Sequence, residues 1–334
     1  MKLGTSVRFV FPTSPATHER FRSLLASMPK GAFIERPMGA FSPAEQARNL
    51  MEVAAAARAA GLDALLTGDS HAASPAYAAT FSPLPTVARL MSVTGAMPVG
   101  VVLLAPFYQP LLLAEQIGTL AAFAEGPLIA TFALGGRPQQ FQAFGMEERS
   151  RVGRLEEMVA LVRALLAGER VTHRGRHYTL EGATISPLPR VPVEIWLGGT
   201  VPAAAERAGR LGDAWLTGQN ATDEDLVQQL ALYRDAAARA GRPARPVLRR
   251  DIYVGESDAE ARAVVGAVLA EGYRGTGFDQ LLVGSAGSIV GDLHRYRDMG
   301  FDYVMVRHIV GDHQLMLRSF ERIGRDVMPR MRDI

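Results

Sequence analysis

Val99-Gly-Val-Val-Leu-Leu-Ala-Pro-Phe-Tyr-Gln-Pro110, continued through Leu111 to Phe123 and then Leu128 to Leu134, is the stretch on which the fold turns. Val99 to Ala105 is an apolar run of strand length. Pro110 to Phe123 is longer, rich in leucine and alanine, and opens on a proline, which suits the first turn of a helix because its missing N–H would have no partner there anyway. Leu128 to Leu134 is apolar and short again. Together they read as one strand-helix-strand unit of a parallel sheet.

The same rhythm extends in both directions. Further strand-like runs are Leu3 to Val10, Ala64 to Gly68, Val193 to Leu197, Ala214 to Thr217, Val247 to Val254 and Tyr303 to Val306. Helical patterns lie between them at Pro43 to Ala60, Pro83 to Met91, Glu147 to Ala167, Pro202 to Arg210, Asp223 to Ala240, Asp258 to Ala270 and Gln314 to Val327. Ser42-Pro43 and Ser82-Pro83 suggest N-caps followed by a proline at the first helical position. About eight such units predict an α/β fold of the closed (β/α)8 TIM-barrel type. An open doubly wound sheet is the second architecture, and its Gly-x-Gly-x-x-Gly fingerprint is absent from the sequence.

Three segments interrupt the rhythm and are expected as insertions after strands 1, 4 and 7. Pro12 to Phe41 is too long for an ordinary loop and is expected to form a lid over the barrel mouth. Glu169 to Arg190 reads as a hairpin before strand 5, with Val171 to His173 and His177 to Leu180 around Arg174-Gly175. Glu271 to Gly300 carries an extra helix, Ser288 to Met299. None resembles a linker, so one domain over residues 1–334 is expected.

The chain has 334 residues, 48% hydrophobic against 21% charged, the balance of a protein with a sizeable core. Cysteine is absent, which excludes disulfides, cysteine-zinc sites and thiol nucleophiles. The basic residues are arginines apart from Lys2 and Lys30, so neither a Walker-type phosphate loop nor an ordinary lysine Schiff base is available. A net charge of +2 implies no nucleic acid. No signal peptide precedes the first strand, and no run reaches the roughly 18 apolar residues of a membrane span, so a cytoplasmic protein without membrane association is expected.

In a barrel the chemistry sits where strands end. The polar residues there are Asp69, Ser70 and His71 after strand 2, Gly135-Gly136-Arg137 after strand 4, Gly198-Gly199-Thr200 after strand 5 and Arg307-His308 after strand 8. Asp69 and His71 suit an acid-base pair, or a turn cap beside a surface histidine. Gly198 and Gly199 suit a phosphate brought close to backbone N–H groups at the following helix start, or an ordinary tight turn. On the phosphate reading, Gly199→Val should cost cofactor affinity and leave the melting curve unchanged. Arg137 suits an anion or plain exposure. Arg307 and His308 suit a substrate anion, with strand alternation turning one of them inward, or Arg307 suits an ion pair with Asp302 or Asp312. His173 and His177 are poorly spaced for a metal, and no Gly-x-Ser-x-Gly elbow occurs, so no metal site is expected and the chemistry is assigned to an organic cofactor.

Several stretches read together as a family. They are Leu66-Thr-Gly-Asp-Ser-His-Ala-Ala-Ser-Pro75, Val99 to Pro110 with Ala114 and Thr119-Leu120, and Phe141-Gln-Ala-Phe-Gly145 with Arg149 and Glu156. Then come Gly175-Arg-His-Tyr178, Pro192-Val-Glu-Ile-Trp-Leu-Gly-Gly199, Gly212-Asp-Ala-Trp215 and Val283-Gly-Ser285. In order and spacing they resemble the luciferase-like monooxygenases over nearly the whole chain. The resemblance implies a reduced flavin or coenzyme F420 across the barrel mouth, its ring against the backbone at Leu103, Leu104 and Ala105. Its phosphate would lie on Gly198, Gly199 and Thr200, and Asp69 or His71 would face the reaction chamber; Gly135 and Arg137 join the cofactor-binding candidates by their place after strand 4.

On this resemblance the expected function is monooxygenation of a small organic molecule with reduced FMN and oxygen, fed by a separate flavin reductase, in a homodimer. Hydride transfer with F420 is the alternative, and a non-catalytic flavin-binding relative is the third reading. The chain departs from the family's pattern at Leu120 to Pro127, where relatives read Leu-Asp-x-Leu-Ser-x-Gly-Arg, and at Gln139 and Gln140, where they commonly carry an acid.

Overall fold

The computed structural model describes residues 1–7, 43–72, 81–270, 273 and 277–332. The proposed lid, Pro12 to Phe41, and Ser42 lie outside the described residues. The strands are β1 (Lys2–Val7), β2 (Leu65–Thr67), β3 (Val99–Leu104), β4 (Leu128–Ala133), β5 (Val171–Arg174), β6 (Thr179–Ala183), β7 (Val193–Gly198), β8 (Ala214–Leu216), β9 (Pro246–Val254), β10 (Leu281–Gly284) and β11 (Tyr303–His308).

Parallel pairing runs β1-β2-β3-β4-β7-β8-β9-β11 and returns to β1, which closes an eight-stranded barrel. Side-chain alternation along each strand divides the core in two. Leu66, Ile129, Trp196, Leu216, Val247, Tyr303 and Met305 fill the barrel lumen. Their neighbours Leu65, Leu128, Ala130, Ile195, Leu197, Trp215, Leu248, Val304 and Val306 face the surrounding helices. Filling both faces with large apolar side chains explains why these strands read as continuous hydrophobic runs rather than alternating ones.

Helices Pro43–Ala59, Pro83–Thr94, Pro110–Phe123, Pro138–Ala143 and Pro202–Leu211 all begin on proline. Ser82 has the expected place but makes no side-chain cap, and its carbonyl instead accepts the Thr86 hydroxyl at 2.7 Å. Helix Asp223–Arg239 has a reciprocal capping box, Thr222 with Asp225, which satisfies two N–H groups at its start.

The expected hairpin is β5 and β6, antiparallel, with His173 opposite Leu180 and Arg174 opposite Thr179. The last insertion holds more than a helix. Before helix Ala286–Met299 it adds β10, which pairs with the far half of β9, from Asp251 to Val254, where β9 has outrun its neighbour β8. Among the described residues no helix is long and apolar enough to cross a membrane.

Candidate active site

Beyond β2 the chain crosses the barrel mouth as Gly68-Asp69-Ser70-His71. The Asp69 side chain is fully buried. Its Oδ2 accepts the Leu104 N–H at 2.9 Å and the Tyr108 hydroxyl at 2.9 Å, and lies 3.1 Å from His71 Nε2. The other oxygen, Oδ1, is buried without a hydrogen-bond partner, as are Ser70 Oγ and Thr131 Oγ1. Buried polar atoms without partners are costly, and Asp69 Oδ1 and Ser70 Oγ, adjacent in the chain beyond β2, leave hydrogen-bonding capacity open at this end of the barrel.

The backbone after β3 makes this possible. Leu104 leaves the strand into a single 3-10 turn, Ala105–Phe107, closed by the Tyr108 N–H on the Ala105 carbonyl at 3.1 Å. Gln109 then caps helix Pro110–Phe123 by accepting the Leu112 N–H at 2.9 Å. The turn aims the Tyr108 phenol back at Asp69. Burial, followed by the charge and hydrogen bond of Asp69, pushes that phenol far above its ordinary pKa, so it stays a donor.

The His71 imidazole stands edge-on to Phe107, Tyr108 and Phe144, with ring centroids 5.4, 5.6 and 5.2 Å away. Gln140 holds the His71 carbonyl at 3.0 Å. A carboxylate at Nε2 selects the tautomer with its proton there, which leaves Nδ1 as the basic nitrogen. Tyr108 and Phe107 were missed as site residues by sequence reasoning, and Gln140 was noted only as a departure from the family's pattern. Tyr108 had a usable signal, a polar side chain shortly after a barrel strand.

On the β4, β7 and β8 side, Gly135 adopts a left-handed φ of 70° and packs on Phe107, and Arg137 directly precedes helix Pro138–Ala143. Gly198 ends β7, and a β-carbon there would meet nothing closer than 3.7 Å, so its lack of a side chain is not demanded by packing. Gly199 differs. A β-carbon there would collide with the Ala204 methyl, so this glycine is needed for strand-helix packing, and the expectation that Gly199→Val spares stability is corrected. Thr200 and Val201 are exposed at the start of helix Pro202–Leu211.

Arg307 and His308, expected as alternatives facing the mouth, are both buried. Arg307 points to the lumen side, on the same face as Tyr303 and Met305, and its fork grips Asp251 of β9 at 3.1 Å through Nε and 2.8 Å through Nη2. Tyr273 joins them, donating to Asp251 at 2.6 Å and accepting from Arg307 at 2.9 Å. Burial disfavours the Arg307 charge, and Asp251 and Tyr273 more than reverse this. The paired acid is therefore Asp251, not Asp302 or Asp312. His308 faces outward, 2.9 Å from Ser319 Oγ and against the Phe320 ring, and burial pulls its pKa down to about 3.

The sequence profile described as luciferase-like monooxygenase matches residues 28–299. An F420-dependent glucose-6-phosphate dehydrogenase of Beutenbergia cavernae is 31% identical over 210 residues, 58% of this chain and 60% of that protein's own length. Among solved structures, a monooxygenase from Streptomyces bottropensis superposes with a TM-score of 0.79 at 21% identity, over 98% of this chain and 99% of that one. The oxygenating component of 3,6-diketocamphane monooxygenase from Pseudomonas putida, in complex with FMN, superposes with a TM-score of 0.73 at 18% identity, over 88% and 95%.

Proposed function

Because the chain belongs to the luciferase-like monooxygenase family, we propose that this oxidoreductase transfers a hydride between coenzyme F420 and a small molecule carrying a hydroxyl or carbonyl carbon. The observation that carries this reading is the Asp69-held His71, an oriented base at the barrel mouth. The F420 dependence named for a relative at 31% identity supports the choice of cofactor.

The residues present fit a planar, hydrogen-bonding, phosphate-bearing group. The orphaned Asp69 Oδ1, Ser70 Oγ and Thr131 Oγ1 offer polar partners, and the unobstructed Gly198 leaves the end of β7 clear. The backbone at Leu103, Leu104 and Ala105 would support the ring, and Gly198, Gly199 and Thr200 the phosphate, flanked by Gly135 and Arg137. When bound, F420 accepts or returns the hydride. His71 Nδ1 takes the substrate's hydroxyl proton on oxidation and returns it on reduction, and Asp69, bonded to Nε2, keeps the ring oriented between those events. Tyr108 and the Leu104 N–H hold the carboxylate still, and the buried Phe107 and Phe141 exclude water from one side.

A second reading, monooxygenation with reduced FMN, draws on that aromatic wall, since a dry surface protects a reactive reduced cofactor from side reactions. Anaerobic turnover followed by the absorbance change of F420 tests the first reading. Oxygen consumption with chemically reduced FMN, and no anaerobic turnover, would replace it with the second. Binding of either cofactor without turnover would favour a non-catalytic role.

A further inference from the structure

The Tyr178 hydroxyl reaches the reaction rim from an insertion outside the barrel. It donates to the Tyr108 carbonyl at 3.2 Å across 70 residues of sequence. That carbonyl precedes the hydrogen-bond ladder of helix Pro110–Phe123, which starts with the Leu113 N–H on the Gln109 carbonyl at 2.9 Å. Tyr108 is thus held at both ends, its carbonyl by the hairpin and its phenol by Asp69.

The hairpin is itself clamped. Glu157, on helix Arg151–Leu166, accepts the backbone N–H groups of Arg176 at 3.1 Å, His177 at 3.2 Å and Tyr178 at 3.1 Å. His173 Nε2 adds a fourth contact at 3.2 Å. Burial opposes ionisation of Glu157, but these donors outweigh it and hold the carboxyl below its ordinary range. Tyr178 is 8% exposed, and the Arg154 guanidinium covers its ring at 5.5 Å. A phenylalanine would fill such a place equally well by shape, so the hydroxyl is explained by its polar partners, the Tyr108 carbonyl that it donates to and the Arg154 guanidinium beside it.

We propose that the β5–β6 hairpin is a positioning device for the reaction site: Glu157 fixes its turn, and Tyr178, through the Tyr108 carbonyl, sets where the Tyr108 phenol meets Asp69. Tyr178 is a positioning residue, acting through Tyr108 on the Asp69–His71 pair. This rests on the proton-handling reading of that pair, and the experiment separates the two.

Tyr178→Phe, Tyr108→Phe and the double variant are compared with the parent, with Arg174→Ala as a control on the exposed face of the same hairpin. The His71 imidazole is titrated by NMR in cofactor-free protein, and kcat and KM are measured with whichever cofactor turns over. Tyr178→Phe should shift the His71 titration and lower kcat about three- to tenfold, the range of a coupling between bonded neighbours, with KM changed by less than about twofold. The double variant should lose no more than Tyr108→Phe alone. A lower melting temperature with the His71 titration unchanged would make the hairpin a packing element and overturn the proposal, as would losses that add in the double variant. If no cofactor supports turnover the proposed function fails, while the His71 titration in cofactor-free protein still decides this inference.

Discussion

Asp69 and Asp251 are both buried carboxylates at the mouth of the same barrel, three strands apart, and their surroundings differ in kind. Asp251 is answered by a cation. The Arg307 fork meets both its oxygens, Tyr273 adds a third bond, and the group is fixed in charge. Asp69 is answered on one oxygen by an amide, a phenol and an imidazole, and its other oxygen has no partner. A carboxylate in a guanidinium fork cannot exchange protons at ordinary pH, because losing its charge would strand the arginine in a dry interior. One held by neutral donors, beside a titratable ring, remains available to chemistry. The β9–β11 side is built for permanence and the β2–β3 side for response.

The largest effect expected from breaking this contrast is on stability. Arg307→Ala removes the fork and leaves Asp251 to the Tyr273 hydroxyl and the more distant Arg249 guanidinium at 3.6 Å, and should cost about 3 kcal/mol in denaturant unfolding. A loss below about 1 kcal/mol would mean that Asp251 is not dependent on its partner.

Next in size is Asp69→Asn. It keeps the shape and replaces the carboxylate that, on the proposed function, orients His71, so turnover should fall about 10²-fold while the melting curve moves little. Stability lost in proportion to activity would place Asp69 in the same structural class as Asp251.

Within a pH unit of neutrality the smallest effect is a pH dependence on the β11 side. His308 has a folded pKa of about 3 against an ordinary value of 6.5, so between these values the unfolded chain binds a proton that the folded chain refuses. Stability should therefore fall as the pH drops below 6.5, by up to about 1.4 kcal/mol per pH unit, and this group's contribution should level off near pH 3. His308→Gln should flatten that limb. An unchanged acid limb in the variant would assign the loss to other groups.

The eight barrel strands were legible because each is a run of local composition, and the proline-opened helices between them carry their own start signals. β10 was not, since Leu281–Gly284 has four residues and exists because β9 extends past β8 and leaves an open edge. In the candidate site, Asp69 and His71 were found by their place after a strand. Tyr108 was not singled out, although it lies in the stretch that announced the barrel.

Sequence alone determined the strand-helix alternation, the absence of thiol chemistry and the near-absence of lysine, and the polar residues at the strand ends, because all of these are properties of composition and of neighbours along the chain. Tertiary structure decided the partners. Closure of the barrel brings β9 beside β11 and joins Arg307 to Asp251 across 56 residues, where the sequence offered Asp302 and Asp312 as nearer acids. It also turned Arg307 to the lumen and His308 to the helices, assigned Gly199 to the methyl of Ala204, and set Tyr178 on the Tyr108 carbonyl. Strand register and helix docking fix such meetings through the closed geometry of the sheet, and no local pattern encodes which distant side chain arrives.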